Sequence, residues 1–146
     1  MALSRVLGLT MASQPSTLIV EDEIFVALDL ERILEDNGYD VVAIAADREE
    51  ALAHAAGCEI AFVDVNLRDG ATGPEIARDL SARGVKIVFV TANPAQIGPS
   101  ANAAVCYVRK PFGEEAIAAA AAIARGEQAS DCGGAVIRLR QPWSGG

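Results

Sequence analysis

The feature that most restricts this chain is an alternation. Five short aliphatic runs, TLIV (17–20), VVAIA (41–45), IAFV (60–63), KIVFV (86–90) and VCYV (105–108), are separated by stretches with helical character. The runs are apolar almost throughout and lack the every-second-residue polarity of a strand with one face in water. They therefore predict strands covered on both faces. Between them, Ile24 to Asn37 sets Val26, Leu30, Ile33 and Leu34 on one stripe and meets Gly38, a helix stop. Asp47 and Glu50 have the spacing of a capping box ahead of Ala51, Leu52 and Ala55. Thr72-Gly73-Pro74-Glu75 opens a third helix, with Ile76, Ala77 and Leu80 turned inward and Gly84 at its end. Glu114 to Arg125 is alanine-rich, with Ile117 and Ile123 available for packing. The fourth crossover, NPAQIGPSANAA (93–104), contains Gly98-Pro99, which limits any helix there to one or two short turns.

Strand and helix in regular succession predict an α/β domain, a parallel sheet with helices on both sides and right-handed crossovers. Such sheets bind ligands beyond the carboxyl ends of their strands, where the strand order reverses. Polar residues collect at those ends. The first run leads into Glu21, Asp22 and Glu23, the third into Asp64, the fourth ends at Thr91, and the fifth is followed by Lys110. The second ends in Ala45 and Ala46 and offers no chemical group. Taken singly, these residues have plain explanations: Asp22 caps the following helix, Thr91 caps the fourth crossover, and Lys110 is a solvated surface lysine. Asp64 fits such a reading least, because it follows four apolar residues at the margin of the core. The stretch LIVEDE (18–23) raises the sharper question, since two unit charges about 4 Å apart repel by roughly 4 kcal/mol at an effective dielectric near 20. Either solvent dilutes that repulsion or a cation sits among the carboxylates.

The 146 residues suffice for one domain with a full core, and 51% apolar against 22% charged residues is a globular balance. A formal net charge of −8 argues against nucleic acid and anionic membrane as partners. Cys58, Cys106 and Cys132 lie far apart and His54 is the single histidine, which excludes a zinc site of the usual kind and suits reduced thiols in a cytoplasmic protein. No apolar run reaches the length of a membrane span. Residues 1–15, beginning MALSRVLGLTMASQP, read as a flexible leader rather than a cleaved signal, with Met11 an alternative start.

Four motifs in order, VEDE (20–23), VDVNL (63–67), VTA (90–92) and KPF (110–112), resemble the receiver domains of two-component response regulators. The resemblance covers roughly Thr17 to Arg125, and it places a receiver domain at 16–126. It implies a flavodoxin-like, doubly wound, five-stranded parallel sheet of order 2-1-3-4-5 with a short or irregular fourth helix. It also implies that Asp64 accepts a phosphoryl group from a sensor histidine kinase or phosphotransfer protein. Asp22, Asp64 and the backbone carbonyl of Asn66 would hold Mg2+ (or Mn2+), with Glu21 acting through water. Lys110, aimed by a cis Lys110–Pro111 bond, would pair with Asp64, and Thr91 would donate to the phosphoryl group. Tyr107 matches the switch aromatic, with the small Ala92 leaving it room, while Asn66 and Asn93 occupy positions that tune dephosphorylation. Glu23 matches no role and reads as first-turn helix charge. Such a protein catalyses its own phosphorylation and dephosphorylation without being a turnover enzyme.

Residues 127–146, EQASDCGGAVIRLRQPWSGG, are too few for an output domain. They read as a tail that is either disordered or added to a sheet edge or the fourth crossover through AVIRLR and Trp143. A regulator without an output domain acts by binding a downstream protein, by relaying phosphate or by draining it. A receiver-like interaction module that is never phosphorylated is the alternative, against which all five site groups stand together. A flavin carrier would need a glycine- and hydroxyl-rich loop where the carboxylates lie. An aspartate-nucleophile phosphatase would need an acid at position 66.

Overall fold

Alternate residues of the aliphatic runs face opposite sides of one sheet, and both sides are dry along the central runs. The run 41–45 lies at an edge, where Val42 is 40% exposed, so it departs from the expectation of cover on both faces. Leu18, Val20, Ala61, Val63, Ile87 and Phe89 pack on one side, while Ile19, Phe62, Val88, Val90, Cys106 and Val108 pack on the other. The computed structural model describes residues 14–127 and 134–139. Its elements are β1 (Ser16–Val20), α1 (Ile24–Asp36), β2 (Asp40–Ala45), α2 (Arg48–Ala53), β3 (Ile60–Val63), α3 (Gly73–Ser81), β4 (Lys86–Thr91), β5 (Ala104–Arg109), α4 (Glu114–Ala124) and β6 (Val136–Arg138). Helices α1 and α4 cover the Ile19 side through Ala27, Leu30, Ile33, Leu34, Ile117 and Ala121. Helices α2 and α3 cover the Leu18 side through Ala51, Ile76, Ala77 and Leu80, joined there by Ile97 of the fourth crossover. The strand order 2-1-3-4-5 is parallel throughout and reverses direction at β1, as the resemblance to receiver domains implies.

One edge departs from the expectation of five strands. Val136–Arg138 forms a sixth strand, antiparallel to β5, pairing Val136 with Val108, Ile137 with Tyr107 and Arg138 with Cys106. The Leu139 N–H donates to the Val105 carbonyl at 2.9 Å. Val136 is 1% exposed and belongs to the core under α4. Burial of that one valine and satisfaction of the β5 backbone decide between the two readings of the tail, in favour of edge addition. Trp143, Cys132 and residues 1–13 of the leader lie outside the described residues.

Local rules account for the element ends. Gly38 adopts φ +91° just after α1, where the Tyr39 N–H reaches back to the Leu34 carbonyl at 3.0 Å. Asp47 accepts the Glu50 N–H at 3.0 Å at the start of α2, and the Glu50 carboxylate accepts the Ala46 N–H at 2.7 Å, so the capping pair closes one residue early. The fourth crossover forms only 3-10 turns at Pro94–Gln96 and Gly98–Ala103, as Gly98-Pro99 dictates. Burial raises the Cys58 thiol to about 11 and the Cys106 thiol to about 12, consistent with structural cysteines. Among the described residues, no helix is long and apolar enough to cross a membrane.

Candidate functional site

Strand register brings the polar residues to one level. Val20 of β1 pairs with Val63 of β3, so Glu21 and Asp64 leave the sheet side by side, and the Asp64 N–H donates to the Val20 carbonyl at 2.9 Å. Thr91 pairs with Arg109, and the Lys110 N–H donates to the Thr91 carbonyl at 3.1 Å. Glu21, Asp22, Asp64, Thr91 and Lys110 therefore share the carboxyl edge of the sheet where its order reverses.

Lys110 is the hub. Its Nζ donates to Glu21 Oε1 at 2.9 Å and to Asp64 Oδ2 at 3.0 Å, and lies 3.9 Å from Glu23 Oε1. The Lys110–Pro111 bond that precedes the turn into α4 is cis. Glu21 is 2% exposed and Asp64 7%, whereas Asp22 faces solvent. Burial pushes the Glu21 carboxyl above its ordinary range; the hydrogen bond from Lys110 opposes this, the neighbouring Asp64 charge adds to it, and the net direction is upward. Burial alone lowers the Lys110 ammonium, yet the hydrogen bonds it donates to Glu21 and Asp64 win and raise it above its usual value.

Carboxylate oxygens of Glu21, Asp22 and Asp64 all lie within 4.8 Å of one another. With all three ionised, one ammonium among three carboxylates leaves two uncompensated negative charges. The donors are hard oxygens, one set on an exposed residue and the others partly tied to Lys110. That donor set and that charge suit a hard divalent cation, which answers the question raised by LIVEDE.

Around this cluster the other expected residues take distinct places. Thr91 is buried, and its Oγ1 accepts the Asn93 N–H at 3.0 Å, leaving its own O–H to donate elsewhere. The Asn66 N–H points at Asp64 Oδ1 at 3.4 Å. Tyr107 is half-buried and packs against the Leu18-side core; it is interior to the sheet because β6 lies beyond it. Glu23 stands at the N-cap position of α1, before the first turn where the sequence placed it, and its side chain makes no cap hydrogen bond.

Two contributors were not legible. A Cβ on Gly73 would collide with the Asp64 carbonyl oxygen and sit 2.6 Å from Val65 Cα, so only glycine lets α3 begin this close beneath the Asp64 loop. The Gly73 N–H also donates to the Val65 carbonyl at 2.9 Å. Gln96 reaches back from the fourth crossover to the Asn66 side chain. Beside Lys110, an apolar cleft of about 430 Å³ is lined by Phe25, Val26, Ala92, Pro111 and Phe112. Ile24, Phe25 and Leu28 of α1 are exposed next to it, Phe25 to 84%.

Residues 17–122 match the response regulator receiver domain. The chain belongs to that family. Phyllosphere-induced regulator PhyR of Methylorubrum extorquens is 34% identical over 93 residues, which are 60% of this chain and 35% of that protein. The chain thus spans about a third of the length of this curated relative. The receiver domain of Erythrobacter litoralis PhyR superposes with a TM-score of 0.72 at 27% identity, covering 81% of this chain and 95% of that one. The anti-anti-sigma factor PhyR of Bartonella quintana gives a TM-score of 0.67 at 25% identity, over 85% of this chain and 52% of that one. As a receiver domain, the chain is a response regulator module whose acidic cluster has the chemistry to hold a metal ion.

Proposed function

We propose that this receiver domain accepts a phosphoryl group on Asp64 from a phosphohistidine donor, in a reaction that requires Mg2+. The observation that carries the reading is the Lys110 ammonium shared between Asp64 Oδ2 and Glu21 Oε1 beside the three-carboxylate cluster. An Asp64 oxygen attacks phosphorus; the new O–P bond forms as the P–N bond breaks, and the electron pair leaves on the donor imidazole nitrogen. Asp22, Asp64 and the Asn66 carbonyl are the residues to hold the ion, with Glu21 behind them. Bound there, Mg2+ supplies charge neutralisation for the phosphoryl oxygens. Lys110 moves from the Asp64 carboxylate to a phosphoryl oxygen as a fixed point charge. The Thr91 hydroxyl donates to another, drawing the start of the fourth crossover inward with Tyr107 following. Asn66 and Asn93 flank the path of the hydrolytic water and can influence it only through hydrogen bonding and access, since an amide is no base at neutral pH.

The exposed Ile24, Phe25 and Leu28 beside the Lys110 cleft give a donor protein an apolar surface to dock on next to Asp64. The output is protein–protein interaction, phosphorelay or phosphate drainage, with the protein catalysing only its own modification. The test is intact mass after incubation with phosphoramidate, whose P–N bond mimics phosphohistidine, and Mg2+. Gain of one phosphoryl group, lost in Asp64→Asn, is the expected result; no gain favours an interaction module that keeps the fold without the chemistry.

A further inference from the structure

We infer that Gln96 is a positioning residue for Asn66, and that the pair of side-chain amides they form across the mouth of the site slows loss of the phosphoryl group from Asp64. This rests on the phosphoacceptor reading above and adds to it a residue outside the receiver motifs. Asn66 Nδ2 donates to Gln96 Oε1 at 2.8 Å, and Gln96 Nε2 donates back to Asn66 Oδ1 at 3.5 Å. Both functional ends of the Asn66 carboxamide are thereby engaged, two residues beyond Asp64. Gln96 is held firmly enough to matter. Its N–H donates to the Asn93 carbonyl at 3.0 Å, and Asn93 in turn donates to Thr91 Oγ1. The next residue, Ile97, is 3% exposed in the core against α3 and accepts the buried Ser100 hydroxyl at 2.5 Å. The 3-10 geometry of Pro94–Gln96, forced by the prolines and glycine of this crossover, is what turns Gln96 toward the Asp64 loop.

Hydrolysis needs a water oxygen to attack phosphorus in line as the O–P bond to Asp64 breaks. The electron pair returns to the Asp64 carboxylate, and the water proton leaves with phosphate or solvent. An Asn66 carboxamide paired to Gln96 neither orients that water nor leaves the mouth open to it. Freed, it does both. Gln96 is exposed and packs into no core cluster, so Gln96→Ala keeps the fold.

The experiment loads the full chain with phosphoramidate and Mg2+, removes the donor, and follows decay of the phosphorylated mass. Gln96→Ala decays about fivefold faster than the parent, the factor equivalent to one net hydrogen bond. In an Asn66→Ala background the same Gln96→Ala change leaves the decay rate within about 1.5-fold, because a positioning residue has nothing left to position. A parent-like or slower decay of Gln96→Ala overturns the inference while leaving the phosphoacceptor reading intact, and so does an undiminished acceleration in the Asn66→Ala background. A parent protein that takes up no phosphoryl group overturns both.

Discussion

The Lys110 ammonium stands 3.0 Å from Asp64 Oδ2, although 46 positions separate the two residues along the chain. Strand register produces that meeting: β3 delivers Asp64, β5 delivers Lys110, and β4 lies between them with Thr91 at its end. The same ammonium is also the sole positive charge within hydrogen-bond reach of the buried Glu21, among the described residues. One side chain thus pairs with two carboxylates at once, and the third, Asp22, faces solvent.

Lys110→Met removes the compensating charge while keeping most of the stem. Leaving Glu21 and Asp64 unpaired at this depth costs about 3 kcal/mol of unfolding free energy in metal-free buffer at neutral pH. Urea titration measures it, and phosphoryl uptake by the folded fraction falls with it.

Glu21 gives a pH signature. Its folded-state carboxyl lies above the unfolded value of 4.5, so the native state binds more protons than the unfolded chain between the two values. Its contribution to stability is therefore present below pH 4.5 and lost as pH rises through the raised folded value. Glu21→Gln, which keeps the shape without the charge, flattens this slope. Without metal, the variant gains stability relative to the parent as pH rises above 4.5, as chemical denaturation at a series of pH values will read.

Divalent ion should raise the melting temperature by mass action. At about a hundredfold excess over the dissociation constant the stabilisation is about 2.7 kcal/mol, reversed by a chelator. Asp22→Ala loses the response yet stays folded, because the residue faces solvent and makes no core contact. An undiminished Mg2+ response in Asp22→Ala, read by differential scanning fluorimetry, excludes it as a ligand.

The added edge strand has its own test. Val136→Ala empties part of the core beneath α4 and costs about 2 kcal/mol. Ile137→Ala on the solvent side of the same strand costs less than about 0.5 kcal/mol. Equal, negligible effects in both variants would mean β6 contributes nothing in solution.

The sequence revealed the parts of this fold that burial writes into composition. Runs buried on both faces, such as IAFV, read as strands without ambiguity, and the carboxylates and lysine at their ends were placed by topology alone. The rest depends on information that is not local. Whether Val136–Arg138 pairs with β5 depends on an edge the five strands leave open, and three alternating residues carry too little pattern to decide it. Gly73 reads as a helix opener, while its steric role beneath Asp64 arises only from backbone proximity across the β3–α3 loop. Gln96 is one polar residue in an irregular crossover, and its approach to Asn66 follows from turn geometry that no periodicity reports.

The central claim is that one carboxylate of the acidic cluster, Asp64, carries the phosphoryl group. Borohydride reduction of the loaded protein converts an acyl phosphate at an aspartate to homoserine, and peptide mass mapping then locates it. The account predicts homoserine at position 64 alone, and only when Mg2+ was present during loading. Reduction at Glu21 or Asp22, or at position 64 after loading without a divalent ion, would contradict it.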